Sequence, residues 1–483
     1  MFITKKAYLI DTQKISEILA NTDLNTRQRE YLENFISRYN HKTKTSKQLA
    51  QANRLYLADN KTFANFHLPL KEIYYPIVTK HSAGCKIWDV DGNEYIDLVM
   101  GFGVNLFGHN PPFIKEALTA QIEKGIQLGS QPEIVGEVAQ MICELTKMER
   151  VAFSNTGTEA IMTAIRMART VTERNKIVIF SNSYHGHFDG TLGKAEIVDN
   201  NLQSVPIGAG IPPNFVADIL VLKYGEQDSL DAIANQAQEL AAVLVEPVQK
   251  ENLDLQPQAF LQQLRKLTKE SGIALIFDEM VTGFRIHPGG AQAWFDIEAD
   301  IAAYGKIVGG GLAIGIIAGK ANFMDAIDGG VWHYGDLSSP HQKTTFFAGT
   351  YCKHPLALAS AKAVLEHLKT QGSTLQSELN QRTTKFVKIL NIYFEQEGLP
   401  IQITNFGSLF GPVYSEGDRE EDNENSEISL VYDLLYYHLL DSGIMLRGNG
   451  GFLSTAHTDE NINYIIQAVK NSISKLREGE FLP

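Results

Sequence analysis

The sequence predicts an α/β protein: a large domain with a mostly parallel sheet flanked by helices, and a small α+β domain. Two observations predict it. Between Val151 and about Gly319, short apolar runs (Lys176–Phe180, Ala241–Val245, Ala274–Phe277, Ile314–Ala318) alternate with helix-length segments such as Thr158–Thr172 and Pro257–Ser271. Strands covered on both faces and joined by crossover helices read this way. After Pro355 the pattern becomes helix-rich, with Leu356–Thr370, Ser373–Glu397 and a last helix over Asp459–Leu476.

In chain order, residues 1–60 are polar, but Leu32, Phe35 and Ile36 recur at helical spacing within Thr26–Tyr39, which predicts an N-terminal helix and an extended arm. Met1 to Asp11 is too short and polar for the apolar core of a signal peptide. Lys86–Asp97 reads as a hairpin turning at Asp91-Gly92-Asn93. Residues 61–110 are expected to start the small domain, 111–355 to form the large one, and 356–483 to complete the small one. Ser415–Glu427, with seven acids and one arginine, reads as a solvated loop.

Composition narrows the function. The chain has 483 residues, 44% of them apolar and 20% charged, with a formal net charge of −13. That balance argues against non-specific nucleic-acid binding, which needs Lys and Arg against phosphates. Cys85, Cys143 and Cys352 have neither metal-type spacing nor the even count of a disulfide framework, so a cytoplasmic location is expected. Ile301–Gly319 is the most apolar long run, but Lys306 and its glycines mark it as core around a site rather than a membrane span.

Lys306 lies in Ala303-Tyr304-Gly305-Lys306-Ile307-Val308-Gly309-Gly310-Gly311, twenty-eight residues after Asp278 of Phe277-Asp278-Glu279. A lysine in a glycine-rich apolar setting can hold a neutral, nucleophilic amine. An aspartate closing an apolar strand can sit under a pyridinium nitrogen. Pyridoxal phosphate needs both. Ser154-Asn155-Thr156-Gly157-Thr158-Glu159 runs small polar residues into a helix, which suits a phosphate. Ser183-Tyr184-His185-Gly186-His187 and Val245-Glu246-Pro247-Val248-Gln249 follow in order. Then come the Asp278 and Lys306 segments and Phe347-Ala348-Gly349-Thr350-Tyr351. His109, His187 and His457 are expected to be structural, and Arg285 to make a structural ion pair.

This order of motifs, over about residues 70–475, resembles the class III aminotransferases, pyridoxal-phosphate enzymes of fold type I. Gly101–His109 and Gly451–Asp459 are similar to the branch containing glutamate semialdehyde aminomutase. Leu68–Ile77, His287–Trp294, Thr344–Gly349 and Leu453–Thr458 resemble more closely the aminotransferase domains of hybrid polyketide/nonribosomal-peptide synthases. Those domains aminate the β-carbon of a β-ketoacyl chain held on a carrier protein.

The resemblance implies roles by position. Lys306 holds the cofactor covalently and shuttles the proton, Asp278 pairs with the pyridinium nitrogen and Tyr184 stacks on one ring face. Met280 covers the other face, Gln249 bonds the ring hydroxyl, and Thr156, Gly157 and Thr158 bind the phosphate. Thr350 reaches the phosphate of the partner subunit, so the site is shared in a homodimer. Phe102 and Arg447 are candidates for contact with substrate, although Arg447 could equally be a surface residue. The run Arg447-Gly448-Asn449-Gly450 departs from the acid that aminomutases carry there, which weakens that reading.

The leading expectation is amino transfer from glutamate or glutamine to a β-ketoacyl thioester presented by an acyl carrier protein. The alternatives are a stand-alone transaminase of a free aldehyde or ketone, the aminomutase, and a catalytically silent interaction domain, against which the intact Lys306 and Asp278 argue. An acidic carrier would need a local basic surface, for which Arg38, His41, Lys42, Lys44 and Lys47 are the candidate.

Overall fold

The computed structural model describes residues 24–59, 66–198, 201–413, 427–446 and 450–482. Its centre is a seven-stranded sheet. We number these strands β1 (Arg150–Ser154), β2 (Lys176–Phe180), β3 (Ile219–Leu222), β4 (Leu240–Val245), β5 (Ala274–Asp278), β6 (Ile301–Gly305) and β7 (Gly315–Gly319). Their order across the sheet is β1-β7-β6-β5-β4-β2-β3. All run parallel except β7, which is antiparallel to both β6 and β1. A short glycine-rich turn after Lys306 leaves no room for a crossover helix, so the chain must return antiparallel.

Alternation within the strands assigns each face to its own core. Val243, Val245, Leu275 and Phe277 face the layer containing Phe260, Leu261 and Leu264 of helix Gln258–Ser271. Ala242, Leu244, Ala274 and Ile276 face Ala160, Ile161, Ala164 and Ala168 of helix Gly157–Thr172. Every residue of β4, β5 and β6 is buried, as strands covered on both sides require.

The predicted runs Lys176–Phe180, Ala241–Val245, Ala274–Phe277 and Ile314–Ala318 fall on β2, β4, β5 and β7. The helices form over Gly157–Thr172, Gln258–Ser271, Pro355–Gln371, Thr374–Gln396 and Asp459–Glu478. Strands β1, β3 and β6, and an antiparallel pair over Gly193–Val198 and Asn201–Pro206, were not anticipated.

Two smaller sheets adjoin. Thr79–Ala83, Lys86–Asp89 and Glu94–Asp97 form an antiparallel ribbon, the last two being the expected hairpin, and Ile444–Met445 adds parallel to Glu94–Asp97. Ile403–Phe406, Leu409–Pro412 and Gly451–Phe452 form the other. Among the described residues no helix is long and apolar enough to cross a membrane.

The N-terminal helix spans Thr26–Lys42 and starts with a capping box at Asn25. Leu32, Phe35 and Ile36, whose spacing predicted it, are buried together with Tyr39. The candidate basic residues lie on this helix and the next, Lys44–Asn53, where His41 and Lys44 are exposed and the other three meet acids of the chain. Arg38 pairs with Asp441 at 3.0 Å, Lys42 lies 3.8 Å from the same carboxylate, and Lys47 pairs with Glu72 at 2.7 Å. Those charges close the helices onto the chain's own acids. The acidic stretch Ser415–Glu427 lies almost wholly outside the described residues, as do Met1–Asp11.

Candidate active site

The site lies where chemistry gathers in α/β sheets, beyond the carboxyl ends of parallel strands. Asp278 is the last residue of β5 and Lys306 follows the last residue of β6, its neighbour. Ser181–His185 follow β2, Glu246–Gln249 follow β4, and Thr156 follows β1. Five segments far apart in sequence thus converge on one edge.

Asp278 is buried. One carboxylate oxygen accepts the Met280 N–H at 3.1 Å, and the other lies 2.8 Å from Nδ1 of His185, also buried. Among the described residues His185 Nε2 has no partner. Among the described residues, Asp278 keeps carboxylate lone pairs free for a ring N–H.

Glu246 accepts the backbone N–H of Tyr184 at 3.1 Å. Burial drives its carboxyl up to about 7, opposed by His185 and reinforced by Asp278. Glu279 is likewise pushed to about 7 by burial while it accepts the Ala291 and Gln292 N–H groups and the Thr282 hydroxyl. It braces the turn after Asp278. Neither His185 nor Glu246 was given a role from the sequence. The available signal was their position, each one residue from an assigned or strand-ending residue.

Lys306 has its amine pKa lowered chiefly by burial, partly offset by Asp278 and Glu246, with Arg285 and Lys250 lowering it further. Its backbone is left-handed, φ 48°. That is an uncommon conformation for a side chain with a Cβ, held here between β6 and the glycine turn.

Thr156 caps helix Gly157–Thr172 by accepting the Glu159 N–H at 3.2 Å. The N–H groups of Gly157 and Thr158 in the first turn have no intrahelical acceptor and point outward, a natural anion cradle. Thr158 Oγ1 accepts the His187 N–H at 3.3 Å. Gly186 closes over it with φ +82°, where an added Cβ would lie 2.3 Å from that oxygen.

Met280 fills the gap between the cradle and Lys306. A Cβ on Gly157 or on Gly305 would each come within 2.8 Å of its sulfur. Tyr184 is 70% exposed, leaving its ring free to stack. Gln249 is buried and donates its amide to the Ser181 carbonyl at 2.8 Å and the Ser183 hydroxyl at 3.0 Å. Its carbonyl oxygen remains as an acceptor for a ring hydroxyl.

Thr350 lies in an exposed segment beside the chain's own cradle, since a Cβ on neighbouring Gly349 would lie 3.3 Å from Asn155 Nδ2. Phe102 is 46% exposed at a left-handed turn, φ 58°. Arg447 lies outside the described residues.

One expectation is overturned. Arg285 makes no ion pair among the described residues. Its guanidinium is buried, donating to the Ser408 hydroxyl at 2.7 Å and to the Gly103 carbonyl, and it lies 4.9 Å from the centre of the Phe452 ring. Desolvation lowers its pKa to about 9. His109 and His457 have local partners: His109 bonds Asp97 at 2.7 Å, and His457 bonds Ser454 at 2.9 Å. Among the described residues no cluster of three or more His, Cys, Asp or Glu is arranged for a metal.

The residues fit pyridoxal phosphate on their own geometry: an anion cradle, a lysine at the adjoining strand end, a buried carboxylate braced by histidine, and an exposed aromatic ring. When bound, that cofactor is an electron sink for charge developing on a substrate carbon. Thr156, Gly157 and Thr158 would hold its phosphate, Asp278 and Tyr184 its ring, and Lys306 would move the proton.

Comparison with known proteins agrees. Residues 70–469 match the family model "Aminotransferase class-III". The chain is 34% identical over 413 residues to a glutamate-1-semialdehyde 2,1-aminomutase of Chloroflexus aggregans, covering 83% of this chain and 91% of that one. Among solved structures it is similar to an omega-transaminase from Sphaerobacter thermophilus. The two share 26% identity at a TM-score of 0.78, over 89% of this chain and 98% of that one. It is also similar to a beta-phenylalanine aminotransferase from Variovorax paradoxus, at 28% identity and a TM-score of 0.77, over 93% and 98%. Class III aminotransferases are typically homodimers. With its fold, its site and its match all in agreement, the chain belongs to the class III aminotransferases, fold-type I enzymes that depend on pyridoxal 5'-phosphate.

Proposed function

We propose that this enzyme transfers an amino group from glutamate or glutamine to the β-carbon of a β-ketoacyl chain held as a thioester on an acyl carrier protein. The observation that carries the transfer chemistry is the placement of Lys306 beside Asp278 and Glu246 with its amine biased toward the neutral form. A neutral Nζ can take a proton from the donor α-carbon and return one to the carbon being aminated. Asp278, steadied by His185, would hold a bound ring nitrogen in its protonated form. The acceptor class is supported by the four synthase-like stretches, among them Leu68–Ile77 and Thr344–Gly349, and by the apolar Phe102 ring as the candidate contact for an acyl chain. Thr350 completing the partner subunit's cradle belongs to the same reading.

The aminomutase reading has its own support in the 34% identity over 83% of the chain. A mutase needs no separate acceptor, because amine and carbonyl stay on one five-carbon substrate. Incubating the enzyme with a β-ketoacyl carrier protein and a panel of amino donors, and reading the acyl chain by mass spectrometry, tests the proposal. Replacement of the ketone oxygen by an amine supports it. No amination, together with conversion of glutamate semialdehyde to 5-aminolevulinate, favours the mutase.

A further inference from the structure

Four consecutive residues, Met100, Gly101, Phe102 and Gly103, have φ of 46°, 63°, 58° and 89°. A left-handed turn containing two residues with Cβ atoms does not hold itself; the surrounding structure must over-determine it. Part of the hold is local. The Gly103 N–H bonds to the Val99 carbonyl at 3.3 Å and the Asn105 N–H to the Met100 carbonyl at 3.0 Å. The Phe452 N–H bonds to the Leu98 carbonyl at 2.8 Å just before the turn.

A further contact comes from across the molecule. Arg285, seven residues after the β5 aspartate, donates to the Gly103 carbonyl with one arm and to Ser408 with the other, and its plane meets the Phe452 ring. Gly103 fits so closely that an added Cβ would lie 2.7 Å from Phe452 and 3.0 Å from Arg285. With no carboxylate paired to it among the described residues, the guanidinium serves there through its hydrogen bonds. Its hydrogen bonds join three segments: the turn bearing Phe102, the hairpin over Ile403–Pro412, and the segment that leaves Asp278. Its charge is felt at Lys306.

We propose that Arg285 is a positioning residue that fixes the Met100–Gly103 turn against the large sheet, and so sets where the Phe102 ring stands relative to the reacting carbons and which acceptor chain fits beneath it. This deepens the acceptor reading above and rests on it only for the identity of the chain. Lysine cannot replace the fork, because one ammonium cannot reach Ser408 and Gly103 in plane while lying on Phe452.

Hydrogen exchange read by mass spectrometry on the cofactor-loaded wild type, Arg285→Lys and Arg285→Met is the first test. It needs no acceptor. We expect amides within residues 98–106 to exchange about tenfold or more faster in both variants, while those of β5 keep wild-type protection. Unchanged exchange in 98–106 overturns the proposal, as does equal loss of protection in β5, which would make Arg285 a general structural residue.

The second test is kinetic, with Phe102→Ala added. Glutamate is mixed with the loaded enzymes and the cofactor absorbance change followed, and then KM is measured for whichever acceptor the wild type aminates. The Arg285→Lys variant should keep the glutamate step within about threefold and raise the acceptor KM about tenfold, and the Phe102→Ala, Arg285→Lys double variant should be no worse than the worse single. Additive losses would separate Arg285 from Phe102 and overturn the link. If the wild type ignores β-ketoacyl thioesters but the coupling appears with another carbonyl acceptor, the acceptor assignment fails and the positioning role stands.

Discussion

Lys306 has the most consequential environment of any residue in the chain, because burial disfavours its charged form while two carboxylates favour it. Lys306→Ala should lower turnover by roughly 10²–10⁴-fold. Borohydride should no longer fix the cofactor to the protein, although the cradle at Thr156–Thr158 should still bind it without a covalent bond. Retention of the cofactor mass on denaturing spectrometry after reduction would contradict the assignment. Asp278→Asn should fold but lose a charge-assisted contact worth roughly 1.5–3 kcal/mol, or about ten- to a hundredfold in rate, with a changed cofactor absorbance. Lys306 and Asp278 were legible in the sequence because their chemistry is carried by residue type plus a strand-end position. His185 and Glu246 were not assigned, because their role depends on a contact across 93 positions and another across 62. Arg285 was misread for a related reason: an arginine in sequence suggests an acid partner, and only packing shows a guanidinium held by a hydroxyl, a carbonyl and a ring.

At the scale of elements, burial on both faces made β2, β4, β5 and β7 visible as apolar runs and left β6 hidden inside the longer run Ile301–Gly319. Strand β1 begins and ends on polar residues, Arg150 and Ser154, and β3 is only four residues long. The N-terminal helix was visible by its spacing, but its packing was not. It docks on helix Glu427–Asp441 through a buried histidine: His438 Nε2 lies 3.2 Å from the Tyr31 hydroxyl, and its ring centre lies 4.3 Å from that of Phe35. Burial lowers the His438 pKa to about 3; Lys475 and Arg38 lower it further, and Asp441 works against them. The unfolded chain therefore binds this proton more readily than the folded one between about pH 6.5 and pH 3. Its contribution to stability is fully present above about 6.5 and is lost as pH falls toward 3. Melting temperature should fall over that range in the wild type. In His438→Gln it should fall less steeply, and an equal slope would mean that other groups dominate. Truncation by Phe35→Ala on the same interface should cost roughly 3–5 kcal/mol of stability, measured by denaturant unfolding, and should leave the cofactor absorbance intact.

At the scale of the molecule, the exposed segment bearing Thr350 lies beside the cradle of its own chain, and the proposed partner-subunit contact requires a second copy. Mixing Thr350→Ala with Lys306→Ala subunits separates the cases. A mixed dimer regains one intact site if Thr350 serves its neighbour, so activity should partly return; no recovery in verified mixed dimers would place both residues in one site. The order of the chain carries a different consequence, one for synthesis. Helix Thr26–Lys42 is made long before its partners: Arg38 pairs with Asp441, 403 positions later, and the helix's first turn meets Glu478 and Glu480. The strands β1–β7 are contiguous by comparison. The nascent large sheet can therefore close while Tyr31 and Phe35 of the first helix still lack His438, the ring they pack against. Pulse-labelled refolding should show protection in β4 and β5 before it appears in 26–42, and stalled chains ending before residue 427 should be the ones that aggregate or recruit chaperones.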